Sequence, residues 1–266
     1  MLTLESALIT TSGQGLNVKI YSSARDTCDP GRMVSIKDIP NPLKAVIFDL
    51  DDTLVLSTVD FAKFKRLVIE RIVRQGEDGK LYSPNETIVA ILGRYEQRML
   101  AQGVPENEIR ARLAELDRIM DEVELERVSE TEAIEGAANL LQLLRAKGIK
   151  VGILTRGCHE YAEEALSRTG LLSFVDKLEC RNSETKAKPD PQAYLNLVRS
   201  LGIRVEETIF IGDHPIDAQC AENAGVIFIA VESGDVPREL LLDAGSAAVF
   251  KHVGEMIAWF EDILSS

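Results

Sequence analysis

Three carboxylates follow one short apolar run in the stretch Ala45-Val46-Ile47-Phe48-Asp49-Leu50-Asp51-Asp52-Thr53. The run reads as a strand that ends in acids, and along an extended chain residues i and i+2 project to the same side. Asp49 and Asp51 therefore converge on one reacting centre while Leu50 faces away. Two carboxylates sharing a site divide the labour: one stays ionised as a nucleophile or metal ligand, and the other, its proton affinity raised by its neighbour, becomes a general acid. The competing reading is an acidic surface turn. Three later segments weigh against it. Thr155 closes Ile153-Leu154-Thr155, Lys188 precedes Pro189, and Gly212-Asp213 closes Phe210-Ile211 with Asp217 four residues on. Taken singly, Thr155 is a β-former, Lys188 a solvated lysine, Asp213 a turn residue and Asp217 a helix N-cap. Together they put a hydroxyl, a cation and two more carboxylates at strand ends, where open α/β sheets bind ligands. Pro189 also forces Lys188 out of the helical region. Arg156, beside Thr155, is a candidate for a substrate anion, the alternative being a solvated arginine. Lys186 competes with Lys188 but lacks the adjacent proline. His214 is placed at the entrance, and Cys158 is either a reactive thiol or inert packing.

The elements that must position these groups alternate between short β-rich runs and helical stretches from Leu43 onward, which is the pattern of a parallel sheet with crossover helices. The fold class is α/β, with a Rossmann-like parallel sheet. Strands are expected at 45–48, 150–155, 208–211, 226–231 and 247–250, with a weaker candidate at 174–178. Helices are expected at 137–147, 160–168, 191–201, 217–224 and 253–264, several of them stopped by glycine. About 100 residues separate the first two strands, whereas a βαβ unit takes about 30. The surplus is helical. Apolar residues recur at steps of three and four through Phe61, Phe64, Val68 and Ile72, through Ile88, Leu92, Tyr95 and Met99, and through Ile109, Leu113, Leu116, Met120 and Val123. Breaks fall at 76–84 and 102–105. A helical bundle is thus inserted into the α/β domain. Its last helix holds ten Asp or Glu and four Arg between Val104 and Glu132, and it reads as a solvated outer face. Leu4–Thr11 and Leu16–Tyr21 suggest a hairpin turning at 12–15. The resulting domains are an N-terminal extension at 1–43, a helical cap at 58–132, and an α/β core from 44–57 and 133–266.

Composition limits the partners. The 266 residues carry a net charge of −13, which repels nucleic acid and anionic membrane surfaces. An anionic substrate therefore needs a local device such as a metal ion. No apolar run approaches a membrane span, and the opening residues lack the basic-then-apolar order of a secretory leader, so a cytoplasmic location is expected. Cys28, Cys158, Cys180 and Cys220 show no CxxC or zinc spacing.

From Lys44 onward the sequence resembles the haloacid dehalogenase-like superfamily of phosphohydrolases. Its DxDxT motif is matched by Asp49 through Thr53, its strand-terminal Thr or Ser by Thr155, its Lys-Pro by Lys188-Pro189, and its GDxxxD by Gly212-Asp213 through Asp217. The helical insertion looks like the cap of the phosphoglycolate phosphatase and β-phosphoglucomutase branch. Asp52 departs from that branch's usual Gly or Asn, and Leu56 stands where many members have Asp before a Ser such as Ser57. The resemblance implies a phosphatase in which Asp49 attacks phosphorus to form an aspartyl-phosphate. Asp51 would protonate the leaving oxygen and then activate water, and Thr155 and Lys188 would hold the phosphoryl oxygens. Asp217 would orient Lys188 or bound water. It implies Mg²⁺ held by Asp49, the main-chain carbonyl of Asp51, and Asp213, and a small-molecule phosphate ester as substrate. A phosphomutase of the β-phosphoglucomutase type and a non-catalytic phosphoester-binding protein are the alternatives. The oligomeric state is not legible.

Overall fold

The computed structural model describes residues 9–11, 16–18, 39–183 and 185–264. Near the amino terminus, β1 (Ile9–Thr11) pairs antiparallel with β2 (Leu16–Val18) in a unit separate from that of Met33–Ser266. The rest of the anticipated hairpin, including its turn at 12–15, lies outside the described residues.

The larger unit is built on a six-stranded sheet. Its strands are β3 (Ala45–Phe48), β6 (Lys150–Leu154), β7 (Lys177–Glu179), β8 (Thr208–Gly212), β9 (Ile227–Val231) and β10 (Ala248–Phe250), in the spatial order β10-β9-β8-β3-β6-β7 and all parallel. The first strand in sequence among these is thus central, which explains why all four of its residues are buried. Val46 and Phe48 enter one core while Ala45 and Ile47 enter the other. Such two-sided burial favours a continuous apolar run over alternation. Helices α4 (Ala137–Ala146), α5 (His159–Arg168) and α9 (Met256–Ile263) cover the first face. The other face is covered by α6 (Pro191–Ser200), α7 (Pro215–Ala224) and α8 (Arg238–Asp243).

Between β3 and α4 the chain leaves through β4 (Val55–Leu56) and returns through β5 (Glu132–Ala133), an antiparallel pair at the stem of the insertion. Helices α1 (Phe61–Arg74), α2 (Ile88–Ala101) and α3 (Glu106–Leu125) form the insertion around Phe64, Val68, Ile72, Ile91, Tyr95 and Leu116. Asp60 caps α1 by accepting from the Lys63 N–H, and Thr87 caps α2 through Ala90.

Several boundaries differ from the sequence reading. The strand expected at 174–178 is β7 at Lys177–Glu179, because Leu172–Phe174 closes into a 3₁₀ turn first. Helix α7 starts at Pro215 rather than 217, with His214 as its N-cap, and the last helix begins at Met256 after a 3₁₀ turn at Val253–Glu255. Helix α8 and the β4–β5 stem were not anticipated, both being too short to show a period. Phe61 belongs to the apolar series but is 48% exposed.

Gly136 starts α4 at φ +79°, and a Cβ there would lie 2.4 Å from the Gly254 Cα. Gly136→Ala meets both left-handed strain and a backbone collision. It should lower unfolding free energy by about 2 kcal/mol, as read by urea denaturation, whereas Gly148→Ala, strained but in open space, should cost less.

Candidate active site

Strand β3 hydrogen-bonds to β6 on one side and β8 on the other, in matched register at Phe48, Ile153 and Ile211. The three carboxyl ends therefore open side by side, bringing together Asp49, Thr155 and Asp213. The chain reaches β6 and β7 on one side of β3, then crosses through α6 to β8 on the other, so the cleft forms where the winding reverses. Lys188 arrives from the loop after β7, and Asp217 from the first turn of α7.

Lys188 is 3% exposed, and its Nζ lies 2.6 Å from Asp49 Oδ1 and 2.6 Å from Asp217 Oδ1. Burial works against the ammonium, but Asp217 and Asp49 outweigh it and hold its pKa above the ordinary lysine range. This geometry decides between the two lysines: Lys186 makes neither contact and stays exposed at the rim. Asp217 is fully buried. Its other oxygen accepts the His214 N–H at 3.2 Å, closing a capping box at the start of α7. Gly212 permits this approach, since a Cβ there would sit 2.5 Å from Asp217 Oδ2.

Oxygens of Asp49, Asp213 and Asp217 lie within 4.8 Å of one another. The Thr53 hydroxyl donates to Asp213 at 3.4 Å. Burial, then Asp49 and Asp217, push the Asp213 pKa well above the ordinary carboxylate range. A buried set of hard oxygens carrying more negative charge than one lysine offsets suits a divalent cation.

Asp51 points elsewhere. Its Oδ1 accepts from Ser57 Oγ at 2.8 Å and from the Tyr161 hydroxyl at 2.5 Å. Burial is the largest influence on it. With Asp49 adding to it and the Tyr161 bond opposing, the pKa is pushed up to about 7. Asp52 takes φ +53°, and its carboxylate accepts the Ser57 N–H at 3.0 Å. This left-handed position accounts for a preference for Gly or Asn, and Asp is the next residue that tolerates it. Thr155 is buried, its hydroxyl accepting the Gly157 N–H at 3.0 Å. His214 Nδ1 accepts from the Ile216 N–H, and burial lowers its pKa. Cys158 is buried and its thiol is pushed up to about 12 by burial, so it reads as inert packing.

A cavity of about 390 Å³ opens over Asp49, Asp51, Thr155, Lys188 and Asp213 and is closed on its far side by residues of α1, α2 and α3. Phe61 lies at this cavity, which explains its absence from the cap interior. Arg156 lines the same space.

Most acids of the stretch from Val104 to Glu132 face solvent as expected, but one face of α3 departs from that reading: Asp117, Asp121 and Glu124 meet Arg181 of the core, with Glu124 Oε2 3.0 Å from Nη2 and the half-exposed Asp117 3.7 Å from Nε. Glu124 also accepts the Cys158 N–H at 2.8 Å, and Arg181 donates to the Arg156 carbonyl at 2.9 Å. The i, i+4, i+7 spacing of the three acids marks a helix face and was the available signal. Nothing local in the sequence marks Tyr161, whose role depends on where α5 sits.

The chain matches the haloacid dehalogenase-like hydrolase family over residues 46–231. It belongs to that family, in its phosphoglycolate phosphatase-like branch. It is 29% identical to a phosphoglycolate phosphatase of Rhodospirillum rubrum over 81% of this chain and 90% of that one. It is 28% identical to an N-acetylmuramic acid 6-phosphate phosphatase of Pseudomonas aeruginosa over 81% and 93%. A haloacid dehalogenase-like family hydrolase from Streptococcus pneumoniae shares the fold with a TM-score of 0.55 and 18% identity, over 83% of this chain and 99% of that one. Among the described residues no helix is long and apolar enough to cross a membrane.

Removing Arg181 leaves the buried Glu124 without its cation, held only by donors of Cys158 among the described residues. Arg181→Met should therefore lower unfolding free energy by about 3 kcal/mol, and Arg181→Met with Glu124→Gln should cost clearly less than the sum of the two singles in denaturant titrations.

Proposed function

We propose that the protein is a cytoplasmic, Mg²⁺-dependent phosphatase that hydrolyses a small phosphate monoester through an aspartyl-phosphate on Asp49. The observation that carries this reading is the pairing, in one cleft, of Asp49 held at Lys188 with Asp51 held out of that contact and raised in proton affinity. Phosphoryl transfer asks for in-line positioning and for neutralisation of the charge on the transferring oxygens. The salt bridge to Lys188 fixes the direction of the Asp49 carboxylate. Attack by Asp49 oxygen on phosphorus forms the acyl phosphate and breaks the bond to the leaving oxygen. Asp51, protonated near neutrality, gives its proton to that oxygen; the resulting carboxylate then takes a proton from the water that hydrolyses the acyl phosphate and regenerates Asp49. Tyr161 and Ser57 hold Asp51 in place for both transfers. Thr155 and Lys188 bind phosphoryl oxygens.

Asp49, the main-chain carbonyl of Asp51, and Asp213 would hold the Mg²⁺, which supplies charge neutralisation between carboxylate and phosphate when bound. The structure also brings Asp217 into the acidic cluster, but its contact with Lys188 supports the orienting role. A phosphomutase would use the same acyl phosphate and return it to a sugar; the named phosphatases among the relatives favour transfer to water. The intact set of acids and lysine weighs against a purely binding role.

Purified protein should release phosphate from a panel of small esters with Mg²⁺ and lose that activity in EDTA. Asp49→Asn should lower turnover at least about 1,000-fold while its circular dichroism spectrum stays native. Near wild-type turnover in that variant, or activity indifferent to EDTA, would overturn the assignment.

A further inference from the structure

Helix α5 starts directly behind the strand end that carries Thr155, and its first turn bears Tyr161. The peptide units between them are held from several sides. The Gly157 N–H donates to the Thr155 hydroxyl at 3.0 Å, which leaves the hydroxyl's own proton for an oxygen in the cleft. Arg181 holds the loop through its main-chain N–H, which donates to the Gly157 carbonyl at 3.0 Å, and through its guanidinium, which donates to the Arg156 carbonyl at 2.9 Å. The His159 N–H goes to Asn182 Oδ1 at 3.1 Å. The Tyr161 ring lies so close to Gly157 that a Cβ there would come within 2.8 Å of a ring carbon. Thr155, Gly157 and Tyr161 therefore form one packed unit, and through the Tyr161 hydroxyl that unit also holds Asp51.

One bond to this unit comes from the cap. Cys158 is the N-cap of α5, and its side chain makes no capping hydrogen bond. In a capping box, the side chain three residues on would accept the N-cap N–H. Here that residue is Tyr161, which is turned to Asp51 instead. The Cys158 N–H is answered by Glu124 of α3, whose Oε2 accepts it at 2.8 Å. A carboxylate at this end of α5 also suits the helix dipole. Glu124 is only 3% exposed. Arg181 meets both of its oxygens and so offsets the cost of burying it. A buried carboxylate of the cap thus completes the start of a core helix, midway along the chain between Thr155 and Tyr161.

We infer that Glu124, gripped by Arg181, is a positioning residue: by accepting the Cys158 N–H it sets Thr155 for the phosphoryl group and Tyr161 for Asp51, without touching the reacting atoms. This inference rests on the phosphatase reading above for its turnover measurements but not for its binding ones. Two duties of the Glu124 carboxylate are separable. Pairing with Arg181 requires its charge, whereas holding the start of α5 requires only an acceptor oxygen, which an amide also offers. The two residues it sets are separable as well. Placement of the phosphoryl group by Thr155 matters for every ester, while proton delivery by Asp51 matters most where the leaving oxygen is strongly basic.

Glu124→Met fills the same space without an acceptor, and Glu124→Gln keeps one. With Mg²⁺ present and the fold checked by circular dichroism, kcat/KM is measured for two alkyl esters, phosphoglycolate and glycerol 3-phosphate, and for p-nitrophenyl phosphate, whose leaving group departs without a proton. Binding of inorganic phosphate is measured by calorimetry. Glu124→Met should lower kcat/KM about 100-fold for the alkyl esters and about tenfold for the aryl ester, and weaken phosphate about tenfold. Glu124→Gln should stay within about fivefold of wild type throughout. Should Glu124→Met not fold, the same comparison is made with Arg181→Met added to both variants, which removes the unpaired guanidinium. Alkyl-ester turnover near wild type in the Met variant would overturn the inference and leave the phosphatase reading standing. So would equal losses for alkyl and aryl esters, since the effect would then not pass through Asp51, or a Gln variant no better than Met, since the charge rather than the acceptor would then matter. If wild type hydrolyses no ester, the phosphatase reading falls and phosphate binding decides: a weakening in Met that Gln restores sustains the positioning role, and equal affinity in all three, or none in wild type, overturns it.

Discussion

The buried ammonium of Lys188 is the contact on which the rest of the cleft depends. Asp49, Asp213 and Asp217 are crowded together with little access to water, and unscreened carboxylates at such distances repel strongly. Lys188 offsets part of that charge by bridging Asp49 and Asp217 at equal distance. Without it, the same carboxylates would be driven apart. Even with it the cleft stays acid-rich: burial first, and then Asp49 and Asp217, raise the proton affinity of Asp213. The remaining negative charge is what makes a divalent cation a fitting partner there.

Around that bridge, each acid is assigned a separate task by what it touches. Asp49 faces a fixed cation. Asp217 is spent on Lys188 and on the capping box of α7, where the helix dipole favours a carboxylate. Asp51, two residues from Asp49, is turned toward Tyr161 and Ser57 and away from Lys188. Residue type alone therefore does not assign a role; three aspartates of one kind differ because their neighbours differ.

The cap is tied to the core by charge as well as by chain. Arg181 gathers three acids of α3 and reaches back to the Arg156 carbonyl, so the segment next to Thr155 senses the position of the cap helix. A cavity that draws its floor from strand ends and its roof from three inserted helices is complete only when both parts are present. This is why the insertion interrupts the sheet directly after the strand that carries Asp49.

The amino-acid sequence by itself determined the α/β class, the strand that ends in Asp49, the helical insertion and the acids and lysine gathered at strand ends. Those features rest on local signals: unbroken apolar runs where a strand is buried on both faces, steps of three and four along amphipathic helices, and polar residues immediately after a strand. Elements with little or no period, such as β4, β5 and α8, escaped it, and the strand at 177–179 was placed too early because an apolar 3₁₀ turn precedes it. Only the tertiary structure decided that Tyr161 holds Asp51 and that three acids on one face of α3 meet Arg181. Each of these is a contact between groups far apart along the chain, and side-chain identity carries no record of a partner that folding alone brings near.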